Sequence, residues 1–202
     1  MNRSFRLPAI VLAGVLFAQA ASAQKTTGAN KKLVERGKYL VTIALCNDCH
    51  SPKKFGPNGP EVDESKLLSG APSHTPLPES PAGVLGPDKW GVVASNDLTT
   101  WFGPWGISFA KNLTPDVETG IGSWTEDMFI RAIRTGKDMG EGRQILPPMP
   151  WQLIGKATDA DLKAMFAYLK SLPSIKNAVH EPIPPSMGTV HEPIPPATGA
   201  TK

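Results

Sequence analysis

Only two cysteines and four histidines occur in 202 residues, no long apolar run follows the first eighteen, and neither sign of charge dominates. Two cysteines allow one disulfide at most, and three further histidines, His74, His180 and His191, are the only Cys or His residues left to complete a zinc site. The absence of a second apolar span leaves no membrane helix outside the N-terminal segment. Lys and Arg number 21 against 18 Asp and Glu. Loss of Arg3 and Arg6 with a leader would leave 19 against 18, so no nucleic-acid surface is expected.

What is present begins with a leader pattern. Two arginines precede an apolar run over 7–18, and the triplet Ala21, Ser22, Ala23 stands before Gln24. This predicts a secretory signal peptide over 1–23 and export to the periplasm. The run is short, holds Pro8 and Gly14, and lacks a basic stop after it, so a membrane anchor is not expected once the leader is removed. The rest has room for one domain, 24–178.

The two cysteines stand in the order Cys46, Asn47, Asp48, Cys49, His50. In an oxidising compartment a disulfide is the first thought, but Cys-x-x-Cys followed at once by His is the signature of covalent haem attachment. The two thiols can add to the vinyl groups of one haem c, and His50 is then held beside the iron as an axial ligand. A thioredoxin-like pair would need a preceding strand and a parallel sheet, whereas a helical pattern precedes Cys46.

That helix is predicted over 30–44, capped by Asn30, with Leu33, Gly37, Leu40, Val41 and Ala44 on one face. From 51 to 111 glycine, proline, serine and asparagine predominate. This predicts a long loop with short strands at 92–94 and 107–109, packed down through Trp90, Trp101 and Trp105. A second helix follows the cap Thr125 and ends at Gly136. A third follows Thr158, with Leu162, Met165, Phe166, Leu169 and Leu172 at three- and four-residue steps until Pro173. The tail, 179–202, repeats itself: 179–189 reads VHEPIPPSMGT and 190–200 reads VHEPIPPATGA. Its proline content predicts an extended, poorly ordered segment whose histidines are exposed.

The second axial position decides between electron transfer and ligand chemistry. Met149 lies in Leu146, Pro147, Pro148, Met149, Pro150, Trp151, where prolines fix the backbone around a soft thioether that favours reduced iron. Met139 is the substitute ligand. His74 would give a bis-histidine iron of lower potential.

These segments together resemble a monohaem class I cytochrome c of the kind found in bacterial respiratory and dehydrogenase-linked systems. The resemblance is carried by Gly37, Lys38, Tyr39, Leu40; by CNDCH; by NLTPDVETGIGSW over 112–124; and by ILPPMPW over 145–151, and it covers roughly 33–173. It implies an all-α fold in which the first and last helices cross, Gly37 allowing Tyr168 or its neighbours to approach. It also implies that a proline carbonyl, from Pro57 or Pro60, receives the other nitrogen of His50. The function implied is one-electron transfer without catalysis on a substrate. A dehydrogenase or respiratory complex would be donor, and an oxidase or another cytochrome acceptor. The rivals are a cytochrome subunit working only within a dehydrogenase complex, a haem peroxidase, and a gas-binding sensor.

Overall fold

The computed structural model describes residues 28, 30–76 and 83–185. The leader 1–23 and the second copy of the tail repeat lie outside these residues. Helix α1 runs through 30–43, and residue 28 is already helical, so Asn30 sits inside the helix and does not cap it. Its inward face is Val34, Gly37, Leu40, Val41 and Ala44, with Leu33 on the exposed side. After a reversal at Leu45 (φ 58°) comes the short helix α2, Cys46–His50.

The expectation of an all-α fold is overturned, because among the described residues five strands in two antiparallel sheets accompany five helices and the fold is mixed α/β. Strands β1 (Lys53–Gly56) and β2 (Gly59–Val62) form a hairpin, and β3 (Val93–Ala94), β4 (Thr100–Gly103) and β5 (Gly106–Phe109) form a three-stranded sheet in that order. The strands are two to four residues long, too short for an alternating pattern to show in the sequence. Turn chemistry was the readable signal. Pro57–Asn58 closes the first hairpin ahead of Gly59 at φ 101°, and Pro104–Trp105 closes the β4–β5 turn ahead of Gly106 at φ 93°. Of the three tryptophans, Trp101 and Trp105 pack partly down while Trp90 remains 70% exposed.

The two later helices follow their sequence signals. In α3 (Glu126–Thr135) the Thr125 hydroxyl accepts from Met128 N at 3.2 Å, and Gly136, at φ 68°, ends the helix. A four-residue helix α4 (Trp151–Ile154) follows the Met149 segment. In α5 (Asp159–Ser171) Thr158 accepts from Asp161 N at 3.1 Å. Phe129 and Ile133 of α3, Leu162, Met165, Phe166, Tyr168 and Leu169 of α5, Val41 of α1, and Leu68 and Ile121 make one core. Helices α1 and α5 cross at Gly37: a Cβ there would overlap Ala164 O and stand 2.8 Å from Tyr168 Cβ.

The chain after Lys111 turns through a buried polar knot. Asn112 Oδ1 accepts from Thr114 N and Oγ1, its Nδ2 donates to Ile175 O at 2.8 Å, and Ile175 N donates back to Thr114 Oγ1 at 3.1 Å. Buried polar groups satisfied in this way fix a unique path. Beyond α5, Asn177 Nδ2 donates to Ser69 O and Ala71 O, fastening the exit of the last helix to the 68–71 turn.

The hairpin is pinned by Asp63, which caps a 3-10 turn at Glu64–Lys66 and pairs with Lys54 at 2.8 Å. The Lys54 and Ser65 hydrogen bonds pull the Asp63 carboxyl down to about 2. A carboxyl depressed on folding stabilises above its unfolded pKa near 3.8, and that contribution disappears as pH falls towards 2. Asp63→Asn should therefore lower the denaturation midpoint by a constant amount from pH 7 to pH 5, and the gap to wild type should close between pH 4 and pH 2.

Candidate haem site

On α2 the residues Cys46, Cys49 and His50 stand at i, i+3 and i+4 and so share one face of the helix. Both cysteines are half-buried, and they do not form a disulfide with one another. Burial pushes the Cys46 thiol up to about 12, and burial also raises Cys49 against the pull of Lys53. Thiols raised in this way do not suit a nucleophilic redox pair. Among the described residues no three His, Cys, Asp or Glu side chains gather to hold a metal ion.

His50 is 8% exposed, and its Nδ1 lies 2.8 Å from Lys111 O. A carbonyl can only accept, so Nδ1 carries the proton. Burial lowers the imidazole pKa and keeps the ring neutral. The lone pair is then on Nε2, the state a metal-ligating histidine requires, with its orientation fixed from behind.

The carbonyl behind His50 is not from Pro57 or Pro60. Pro57 is in the β1–β2 turn and Pro60 in β2, both exposed, and the hairpin carries them outward. Lys111 supplies the acceptor from 61 residues downstream, immediately after β5. Two neighbours make this approach feasible. His50 O accepts from Gly70 N at 2.8 Å, and Gly70, at φ 80°, has no room for a Cβ against Ala110 O and Asn112 N. Ser51 Oγ accepts from Leu68 N at 2.9 Å. Lys53 Nζ adds a brace, donating to Asp48 O at the end of α2 and to Asp97 O at 2.9 Å.

The strand that leads to Lys111 also holds the Met149 segment. Ser108 Oγ donates to Pro147 O at 2.6 Å, and Met149 packs half-buried against the same core as Cys46. Around it Gln144, Ile145, Pro147, Pro148 and Trp151 line a cavity of about 400 Å³. A third tie runs through the Lys111 side chain, whose Nζ is 2.7 Å from Asp138 Oδ1 and 5.0 Å from the centre of the Trp124 ring. The stretch 108–111 therefore fastens both the His50 loop and the Met149 loop. Met139 lies in the 3-10 turn Asp138–Gly140 at φ 56° and is 38% exposed, and His74 is exposed on a loop.

Sequence reading missed Lys111, Ser108 and Gly70. Only Lys111 had a signal, its position directly before the NLTPD segment. Ser108→Ala should cost about 1 kcal/mol in a denaturant titration, because Pro147 O loses its donor.

A neutral, carbonyl-oriented histidine shares one helical face with two half-buried cysteines, and a half-buried methionine is held by the same strand. This donor set fits haem c, and the chain is a c-type cytochrome. No protein-family model matches it. It is similar to the cytochrome c subunits of dehydrogenase complexes. With the gluconate 2-dehydrogenase cytochrome c subunit of Pantoea cypripedii it shares 31% identity over 160 residues, 79% of this chain and 27% of that relative. With the fructose dehydrogenase cytochrome subunit of Gluconobacter japonicus identity is 26% over 79% of this chain and 25% of the relative. With the cytochrome c subunit of the quinone alcohol dehydrogenase of Gluconobacter oxydans it is 28% over 83% and 27%. The chain thus spans about a quarter of the length of these relatives.

Proposed function

We propose that this cytochrome is a one-electron carrier in the periplasm, with a single haem c attached through Cys46 and Cys49 and axial ligands from His50 and Met149. Haem c, when bound, supplies the iron that changes oxidation state. The residues of the chain hold, orient and enclose it. The observation that carries the reading is the hydrogen bond from His50 Nδ1 to Lys111 O, which aims Nε2 from a buried ring beside both cysteines.

The ligand tasks divide by chemistry. His50 is a neutral donor whose basicity is raised by the carbonyl behind it. Met149 offers a soft sulfur that favours the reduced state and raises the potential, and its anchorage through Ser108 limits the reorganisation that accompanies each electron. The cysteines prevent loss of the group.

Similarity to three dehydrogenase cytochrome subunits supports a dehydrogenase as electron donor, with this chain as its cytochrome partner. An oxidase or a second cytochrome would take the electron onward. The leader pattern over 1–23 supports export, and among the described residues no helix is long and apolar enough to cross a membrane.

Attachment is tested on a denaturing gel stained for haem. Wild-type protein made with haem-maturation machinery should keep its stain, and the variant with both Cys46→Ala and Cys49→Ala should lose it completely. A stained band in the double variant would refute the assignment of the thioethers.

A further inference from the structure

The outer edge of β5 is covered by the first copy of the tail repeat. Ile107 and Ile183 exchange both backbone hydrogen bonds, Ile107 N to Ile183 O at 2.8 Å and Ile183 N to Ile107 O at 2.9 Å, so the tail adds one rung to the sheet. Ahead of that rung the His180 ring lies 5.5 Å from Phe109, and Glu181 pairs with Arg143 at 3.3 Å. Pro184 and Pro185 pass so close to Gly106 that a Cβ there would overlap Ile183 O and stand 2.7 Å from Pro184 C. The groove therefore reads a backbone pair, a ring, a carboxylate and two prolines, a form of strand addition at a sheet edge.

Every one of those features recurs eleven residues later. Residues 190–196 repeat V-H-E-P-I-P-P without change, and the two copies diverge only beyond the second proline of that last pair. We propose that the β5 groove is a docking site for this heptad, and that the second copy exchanges into it in place of the first within the same chain. Ile194 would pair with Ile107, His191 would meet Phe109, and Glu192 would meet Arg143.

Chain length decides in favour of exchange within one chain. Asn177 is fastened to Ser69 and Ala71, so Ile183 follows that anchor by six residues and Ile194 by seventeen. Closing the longer loop disfavours the second copy by only about five-fold. A copy from another molecule would have to compete with tethered segments at an effective concentration in the millimolar range. The groove matters to the site because its floor, β5, carries Ser108 and leads to Lys111, while Arg143 precedes the Met149 segment. Two tandem copies keep that strand covered when either one is displaced.

The test is hydrogen exchange at the Ile107 amide in the full-length haem protein. Ile183→Pro removes the N–H that donates to Ile107 O, and protection at Ile107 should fall by about five-fold as the second copy takes over. Ile194→Pro alone should leave protection unchanged. The double variant should lose the remainder, and a synthetic peptide VHEPIPPATGA added to a chain truncated after Ala178 should restore it. If Ile183→Pro alone already gives the unprotected level of the double variant, or if its residual protection rises with protein concentration, exchange within the chain is overturned. Unchanged protection in the double variant, or no recovery with the peptide, would overturn the docking site itself.

Discussion

Replacing Met149 by alanine is expected to abolish the weak near-infrared band of sulfur-to-iron ligation in the oxidised protein, admit carbon monoxide to the reduced iron, and lower the potential by on the order of 100 mV. Three features favour Met149 for this role. Pro147, Pro148 and Pro150 restrict its backbone, Ser108 holds the segment at Pro147 O, and the side chain packs against the core shared with Cys46. Met139 has none of these, being on an exposed turn at φ 56°. Met139→Ala should therefore leave the band, the carbon monoxide response and the potential unchanged. The reverse pattern, loss of the band in Met139→Ala and its survival in Met149→Ala, would transfer the ligand role to Met139.

Gly37→Leu is expected to be the most destabilising single substitution away from the haem ligands, by about 3 kcal/mol or more in a denaturant titration. The first atom of any side chain at this position would run into the backbone carbonyl of Ala164, and Tyr168 Cβ closes the other side. Neither neighbour is a flexible tip that could swing away. Relief requires α1 and α5 to separate, which breaks the contact of Val41 with the core formed by Leu162, Met165 and Leu169. Overpacking of a rigid contact typically costs 1–3 kcal/mol, and separation of the helices adds lost apolar burial on top. Gly37→Ala should show the same effect in smaller measure, despite alanine's better helix propensity. A stabilising Gly37→Ala would mean that the helices do not approach at this point.

Much of the helical frame was readable because its signals are local. Thr125 and Thr158 announce α3 and α5, Gly136 and Pro173 punctuate their ends, and the apolar spacing of α5 matches its buried face. The haem motif was equally plain, since Cys46, Cys49 and His50 fall within one five-residue stretch and share one helical face. Long-range partners were not readable. The acceptor for His50 lies 61 residues away, and a backbone carbonyl carries no side-chain signature in sequence. A family expectation therefore pointed to the prolines near the motif, whereas the hairpin holding Pro57 and Pro60 faces outward. The short strands expected at 92–94 and 107–109 coincide with β3 and β5, but the same reason hid β1, β2 and β4: strands of two to four residues within a Gly- and Pro-rich stretch are defined by their partners more than by their own pattern. His180, expected to be exposed, instead lies half-buried against Phe109 because the tail adds to β5.

The central claim is that His50 and Met149 together close the iron site for electron transfer. The visible and near-infrared spectrum of the purified wild-type haem protein tests it most directly. Sharp low-spin bands on reduction, the sulfur-to-iron band on oxidation, and no change on exposure of the reduced protein to carbon monoxide are the predicted results. A high-spin spectrum that shifts readily with carbon monoxide would contradict it.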